Sequence, residues 1–409
     1  MKRDMREEIL KGSIVGALLR LAWPVVLGSL IHTAYNLADT FWLGHLSKEA
    51  LAAPTISWPI IWLVLSLSDG IAVAGTALVA QYTGAGNREM ADRVAGQVLI
   101  FLLIVASVLS VIGVVLIGEL LKWMGAEREV LERAASYCRI IFAGVPFIFG
   151  FFAFSGLLRG IGDTVTPMKI GAMSAALNAI LDPFLIFGIG FFPRLEVSGA
   201  ALATLLSRGV ATATGIYLLF TGRVGLRVRP GYLRPDLRAF RKIAGIGVPS
   251  SLSSSGAALA FTLFMRIISV FGTDAISAHG VGTRVTSLLR MPIFGLGAAT
   301  ATMVGQNLGA DRIDRARRAV WTAMGISTGA MCLGGVMCAA LRGYLIRAFI
   351  SEPEVVKLGS LFFLISPASL PFFSAYWIAS SAFRGSGHTV YSMSMSLLHL
   401  WGLLSLIHI

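Results

Sequence analysis

Three aspartates lie within long apolar segments of this sequence: Asp39, Asp69 and Asp182. A charged side chain is costly in hydrocarbon, and acids at membrane depth usually bind protons or cations or pair with another charge. These three carboxyl groups are therefore the first candidates for a functional site.

The surroundings of Asp39 are those of a cation site. Tyr35 and Asn36 precede it by four and three residues, which places a phenol and an amide on the same helical face. Such a group can hold Na⁺ or take up a proton. The alternative is an interfacial aspartate that reaches water from the outer end of its segment.

Asp182 has a similar neighbourhood. Asn178 lies four residues earlier, and Pro183 follows directly. Proline leaves a backbone carbonyl one turn earlier without its usual donor, and that oxygen could become a further ligand. The alternative is a hydrogen bond between helices that holds a kink.

Asp69 lies between Ser66 and Gly70. It either joins the same polar cluster or pairs with an intramembrane arginine, and the sequence leaves both open. Six cations fall within or at the ends of apolar segments, and we expect them at interfaces or paired with acids. They are Arg20, Arg139, Arg208, Arg266, Arg284 and Arg290.

The elements that carry these residues are predicted to be transmembrane helices. The chain is 56% hydrophobic and only 13% charged, whereas a soluble domain has about 25% charged residues. Backbone groups in hydrocarbon must be paired within their own segment, so each span is a helix. Eleven spans are predicted, at 16–42, 54–79, 94–118, 134–157, 168–191, 197–220, 243–270, 280–305, 318–341, 358–382 and 393–409.

The net charge of +13 is explained by topology and not by nucleic-acid binding. Alternate connections carry 20 lysines and arginines, and the opposite set carries 8. Because cytoplasmic loops are enriched in these residues, the N-terminus is predicted to be cytoplasmic. No ATP-binding, zinc-protease or serine-hydrolase motif occurs, so neither an enzyme nor a cofactor is expected.

The chain also contains an internal duplication, in which one constant offset pairs Pro24 with Pro249, Gln81 with Gln306 and Arg159 with Arg384. It predicts an all-α polytopic membrane protein with two parallel six-helix repeats, in which substrate is handled between or within the lobes. The predicted units are an N-terminal lobe (1–220), a basic cytoplasmic linker (221–242) that lets the lobes move, and a C-terminal lobe (243–409).

The second repeat differs from the first in two respects. The positions equivalent to the three aspartates are Phe264, Phe294 and Ile407, which places the expected cation site in the N-terminal lobe. The eleventh span is cut short by the end of the sequence, so a twelfth helix is expected beyond it. The sequence leaves open whether the residues at 405–409 are native.

Several segments resemble the multidrug and toxic compound extrusion (MATE) family. They are AWP at 22–24, YNLADTFWLG at 35–44, LRGIGDT at 158–164, and the repeated VAQYTGAG at 79–86 and VGQNLGA at 304–310. The resemblance implies a twelve-helix antiporter in the bacterial inner membrane that exports cationic amphipathic organic compounds in exchange for H⁺ or Na⁺. Alternating access is the expected mechanism, with bending of the first helix at Pro24, and the protein is expected to be a monomer in the lipid bilayer.

The resemblance also implies roles for individual residues. Asp39, Asn178 and Asp182 match the cation residues of branches with an N-lobe site, and Na⁺ is one candidate ion for them. Tyr137 and Thr204 match nearby polar contributors, and Ser155 is the only polar side chain late in the fourth helix. Another branch uses acids in the seventh and tenth helices, which have none here.

Three alternatives remain at this stage. A flippase for lipid-linked or polysaccharide precursors would use a cationic cavity, which Arg266, Arg284 and Arg290 could supply. An intramembrane enzyme lacks a catalytic constellation in this sequence. A passive channel would not explain acids confined to one half of the chain.

Overall fold

The computed structural model describes residues 2–123, 128–190 and 192–399. Within these ranges the regular structure is entirely helical, which confirms the predicted all-α fold. Residues 400–409, most of the predicted eleventh span, lie outside the described part of the chain.

Eight helices form the first repeat and its N-terminal extension. They are α1 (Lys2–Lys11), α2 (Ile14–Leu46), α3 (Lys48–Gly84), α4 (Arg88–Trp123), α5 (Arg128–Ala143), α6 (Val145–Gly160), α7 (Val165–Phe187) and α8 (Val197–Thr221). α5 and α6 meet at Gly144 with a bend of 48°, and the pair together is long and apolar enough for one span. Pro146 lies in the first turn of α6, where its missing N–H is tolerated.

Seven helices form the second repeat. They are α9 (Leu237–Ser269), α10 (Thr273–Gly309), α11 (Ile313–Ala340), α12 (Arg342–Arg347), α13 (Pro353–Ile365), α14 (Leu370–Ser386) and α15 (Thr389–Leu397). The offset that pairs Pro24 with Pro249 also relates the first residues of α3, α4, α5 and α6 to those of α10, α11, α13 and α14. α3 and α10 are both 37 residues long. The sequence duplication is therefore also a duplication of helices.

Among the described residues, fewer helices qualify as membrane spans than the eleven that the sequence predicts. Eight helical segments, and a ninth made by the bent α5–α6 pair, are long and apolar enough to cross a membrane. The other two predicted spans correspond to α9, which is 33 residues long but serine-rich at 250–255, and to α15. Several helices extend well past the predicted ends, because a helix continues into the aqueous boundary after its apolar stretch stops.

The two repeats meet where α3 crosses α10. A Cβ on Gly84 would overlap the carbonyl of Gln306, and a Cβ on Gly309 would overlap the carbonyl of Gln81. The Gln81 amide donates to the Ser386 carbonyl at 3.0 Å, and the Gln306 amide donates to the Gly160 carbonyl at 2.8 Å. These reciprocal contacts close one end of the boundary between the repeats.

The basic linker is shorter and more firmly held than the sequence suggests. α9 already begins at Leu237, so the last six residues of the predicted 221–242 linker are helical. The Gln97 amide of α4 donates to the carbonyls of Tyr232 (2.6 Å) and Arg234 (2.8 Å) and accepts from the Asp236 N–H (2.9 Å). The linker thus follows the first repeat over these residues.

Asp236 ends the linker and caps the N-terminus of α9. Its carboxylate accepts from the backbone N–H groups of Arg238 (2.9 Å) and Ala239 (3.4 Å). These donors hold the pKa of Asp236 below its usual range. A salt bridge of 3.2 Å to Arg93 ties the same side chain to α4.

Candidate cation site

The predicted site residues Asp39, Asn178 and Asp182 come together where α2, α7 and α8 pack. Asp39 lies on α2, and the other two lie one turn apart on α7. Asn178 and Asp182 are fully buried, whereas Asp39 is partly accessible. α7 continues through Pro183 to Phe187, so both of its side chains stay on one face of an unbroken helix.

Asn178 connects the two carboxyl groups. Placed in the orientation that satisfies both ends of its amide, its nitrogen donates to Asp39 Oδ1 at 2.9 Å and to Asp182 Oδ2 at 3.2 Å. Its oxygen accepts from the backbone N–H of Thr204 on α8, at 3.2 Å. One amide therefore holds three helices in register.

The carboxyl groups of Asp39 and Asp182 are therefore close neighbours, since one amide nitrogen lies within 3.2 Å of an oxygen of each. Two carboxylates repel at short range, and a carboxyl group donates a hydrogen bond only when it is protonated. Binding of one proton by the pair would remove that repulsion.

Tyr35 and Thr204 complete the polar cluster. The Tyr35 hydroxyl lies 2.9 Å from Thr204 Oγ1, and Tyr35 precedes Asp39 by one helical turn. Tyr35 is 9% exposed, as is Thr204. Tyr137 on α5 is close enough to Tyr35 and Asp39 to interact with them electrostatically.

The other predicted residues are placed differently. The Asn36 amide nitrogen contacts His32 Nδ1 at 3.1 Å, one turn earlier on α2, and within the described residues it makes no hydrogen bond to either carboxyl group. Asp69 on α3 interacts electrostatically with Arg159 on α6, so it lies with an arginine and not with the carboxyl pair. The Ser155 hydroxyl is buried without a hydrogen-bond partner among the described residues.

Arg208 on α8 is a neighbour of the site that the sequence only grouped with other cations. Its guanidinium carbon lies 5.5 Å from the centroid of the Tyr35 ring and 5.7 Å from that of Phe151. Its positive charge acts on Asp39. The sequence contains one signal for this placement: Arg208 follows Thr204 by four residues, so both lie on the same face of the sixth span.

The fold and the site together define a class of protein. Polytopic helices in two repeats, with a buried and protonatable carboxyl pair in one of them, are typical of secondary transporters. The MatE family model matches residues 24–184 and again 249–407. The chain therefore belongs to the MatE family, whose members are membrane transporters and not enzymes.

Individual relatives agree with this assignment. The chain is 29% identical to "Probable multidrug resistance protein YoeA" of Bacillus subtilis, over 93% of this chain and 83% of that protein. It is 31% identical to a protein of Shewanella oneidensis named "FAD transporter", over 89% of this chain and 80% of the relative. These relatives do not favour the flippase alternative.

The fold matches solved transporters of the same family. One is described as the outward-facing conformation of a multidrug resistance MATE family transporter. It superposes with a TM-score of 0.87 at 27% identity, covering 96% of this chain and 87% of that one.

Proposed function

We propose that this protein exports small organic compounds in exchange for protons, which bind at Asp39 and Asp182. The observation that carries the proposal is the bridge formed by the Asn178 amide, which lies within 3.2 Å of a carboxyl oxygen of Asp39 on α2 and of Asp182 on α7. Loading and release of a proton there would change the packing of α2 against α7. Such a change can favour one conformation over another, as coupled transport requires.

A proton is favoured over Na⁺ by the orientation of Asn178. Its nitrogen, a donor, points at both carboxyl groups, and its oxygen is engaged by the Thr204 N–H. In this orientation the amide offers donors to the carboxyl groups and no free oxygen to a Na⁺ ion between them.

Alternating access is supported by the closed end of the boundary between the repeats. There α1 bridges the two halves of the molecule. Arg6 donates to the carbonyls of Thr83 (2.8 Å) and Gly84 (2.9 Å) at the end of α3. Arg315 of α11 donates to the carbonyls of Ile9 (2.9 Å) and Gly12 (2.6 Å).

The charge bias of the loops assigns a side to this closed end. With the N-terminus in the cytoplasm, as the loops predict, the closed end is the cytoplasmic end. The lobes 1–220 and 243–409 would then move against each other about the α3–α10 crossing. The protein would reside in the cytoplasmic membrane, as a monomer.

Two substrate classes follow from the relatives and the resemblance. The multidrug resistance relative supports small organic compounds in general, and the family resemblance favours organic cations, which would compete with the proton for the carboxyl pair. The name of the Shewanella relative adds a flavin nucleotide as a candidate.

The test is efflux of a fluorescent organic cation, ethidium, from proteoliposomes under separately imposed proton and sodium gradients. We expect a proton gradient alone to drive efflux, and Asp39→Asn and Asp182→Asn to abolish it. Asp274→Asn, an exposed acid at the start of α10, is the matched control and should keep wild-type efflux. Efflux driven only by sodium would refute the proton assignment, and near-normal efflux by either site variant would refute the site.

A further inference from the structure

The second repeat contains a column of arginine and aromatic side chains between α10 and α14. The guanidinium carbon of Arg290 lies 4.7 Å from the centroid of Phe373, which stacks on Trp377 at 6.0 Å with an interplanar angle of 24°. The guanidinium carbon of Arg384 lies 5.4 Å from the Trp377 ring. Phe294 packs its edge against Trp377 at 4.8 Å. We call these five residues the arginine–aromatic column.

The duplication shows how the column differs from its counterpart. In the first repeat, Arg159 interacts electrostatically with the carboxylate of Asp69. The equivalent positions in the second repeat are Arg384 and Phe294, so the arginine is retained while its acidic neighbour has become an aromatic ring. Arg290 replaces Leu65 at its own equivalent position and adds a second positive charge.

These two charges lack an acidic partner among the described residues. The acids of the second repeat, Asp274, Asp311, Asp314, Glu352 and Glu354, all lie at or just beyond helix ends. The Nε atoms of Arg290 and Arg384 are buried, and neither has a hydrogen-bond partner in the described part of the chain. Intramembrane arginines are usually paired, so two unpaired ones in one column point to an external anion.

The column lies inside the bundle, next to the boundary between the repeats. Gly297, on α10, leaves no room for a Cβ beside the Trp377 indole nitrogen. Gly295, the neighbour of Phe294, packs so closely on α2 of the first repeat that a Cβ would overlap Val26. The five column residues are each partly accessible. Phe294 therefore adjoins the residue of α10 that contacts the first repeat.

The chemistry of the column selects for a negatively charged ring system. The parts of the Phe373, Trp377 and Phe294 rings that stay accessible can pack offset or edge-to-face against a flat aromatic ligand. The planar guanidinium groups of Arg290 and Arg384 match carboxylate and phosphate oxygens. An organic cation would have to approach ring faces on which these two positive charges already lie, and like charges repel.

We propose that the arginine–aromatic column is the binding surface for planar aromatic anions, a substrate class distinct from organic cations. As a substrate site, it rests on the export function proposed above, but binding to it does not require a gradient. Exported molecules of this class would carry a carboxylate or phosphate on or near an aromatic ring.

The test is equilibrium binding of fluorescent ligands to the purified full chain in lipid nanodiscs, without a gradient. The probes are flavin mononucleotide, a planar anion; lumiflavin, the same ring system without phosphate; and proflavine, a planar cation. We expect flavin mononucleotide to bind at least about tenfold more tightly than lumiflavin, because charge-assisted hydrogen bonds are lost with the phosphate. Equal or tighter binding of lumiflavin or proflavine would overturn the proposal.

Variants assign the affinity to the column. Arg290→Gln and Arg384→Gln should each weaken flavin mononucleotide binding about tenfold and leave lumiflavin binding unchanged. Arg290→Lys keeps the charge but loses the planar guanidinium group, so its affinity for flavin mononucleotide should lie between those of the wild type and Arg290→Gln. Arg284→Gln, an exposed arginine on the same helix, is the matched control. Unchanged affinity for flavin mononucleotide in both glutamine variants would refute the column as its binding surface. Thermal melting curves identify any variant that fails to fold.

Two further measurements complete the test. The first separates recognition of the ring from simple phosphate binding, and the second separates binding from transport. Inorganic phosphate at the same concentration should not displace flavin mononucleotide, and displacement would show that the rings take no part. Asp39→Asn should bind flavin mononucleotide like the wild type but not export it. If binding is as expected while no gradient drives efflux, the export mechanism fails and the column stands.

Discussion

Removing the Asn178 amide tests the candidate cation site most directly. Asn178→Leu keeps a side chain of similar size but removes both donors to the carboxyl pair, at 2.9 Å and 3.2 Å. Hydrogen bonds to charged groups contribute roughly 1.5–3 kcal/mol each. These donors stabilise the ionised pair, so without them the pair releases its proton less readily.

The expected magnitude follows from these values. Each carboxyl group loses one of these donors, so the group that releases the proton loses about 1.5–3 kcal/mol from its ionised form, which corresponds to roughly 1–2 pH units at about 1.4 kcal/mol per unit. Proton-driven ethidium efflux by Asn178→Leu should therefore reach half its maximum at a pH about 1–2 units higher than in the wild type. The assay is initial efflux rate in proteoliposomes across pH 5–9, at a fixed proton gradient.

Asn36→Leu is the matched control, because it removes an amide from the same helix as Asp39 that contacts His32. Its pH profile should stay within a few tenths of a unit of the wild type. A wild-type profile for Asn178→Leu would refute the bridging role. An equal shift in both variants would show that the effect is not specific to the bridge.

Three further outcomes are expected. Arg315→Gln removes three hydrogen bonds from the α1 bridge and should raise cysteine labelling of the closed end several-fold. Unchanged labelling would mean that α1 does not stabilise closure. Gly309→Leu should prevent closure and abolish efflux, because no Cβ fits at Gly309. Gly329→Leu is its control and should transport normally, because Gly329 has open space around it. Efflux by the Gly309→Leu variant would show that the α3–α10 crossing is not a gate. Cysteines introduced at 46–49 should react with an impermeant reagent from outside intact cells, and cysteines introduced at 312–318 should not. The reverse labelling pattern would show that the predicted topology is inverted.

The sequence by itself determined the class, the helices and the duplication. Apolar length dictates a helix in hydrocarbon regardless of its neighbours, so the spans could be predicted one at a time. The offset between Pro24 and Pro249 recurs in the first residues of α10, α11, α13 and α14. Asp39 and Asp182 were identifiable because a lone acid in an apolar run is costly.

Only the tertiary structure decided which side chains meet. Helical spacing relates residues on one helix, and by that rule Asn36 and Tyr35 were equivalent neighbours of Asp39. In the structure Tyr35 reaches Thr204, 169 residues away, whereas Asn36 contacts His32. The bridge from Asn178 to Asp39 likewise joins two helices, and no local pattern encodes it.

The same reason explains the other placements. Whether Asp69 joined the carboxyl pair or an arginine depended on how α3 packs against α6, and the structure places it with Arg159. The linker was expected to let the lobes move because of its composition, yet the amide of Gln97, far away along the chain, holds it to α4. Sequence spacing fixes the face of a helix on which a residue lies, but the packing of distant helices fixes what that face contacts.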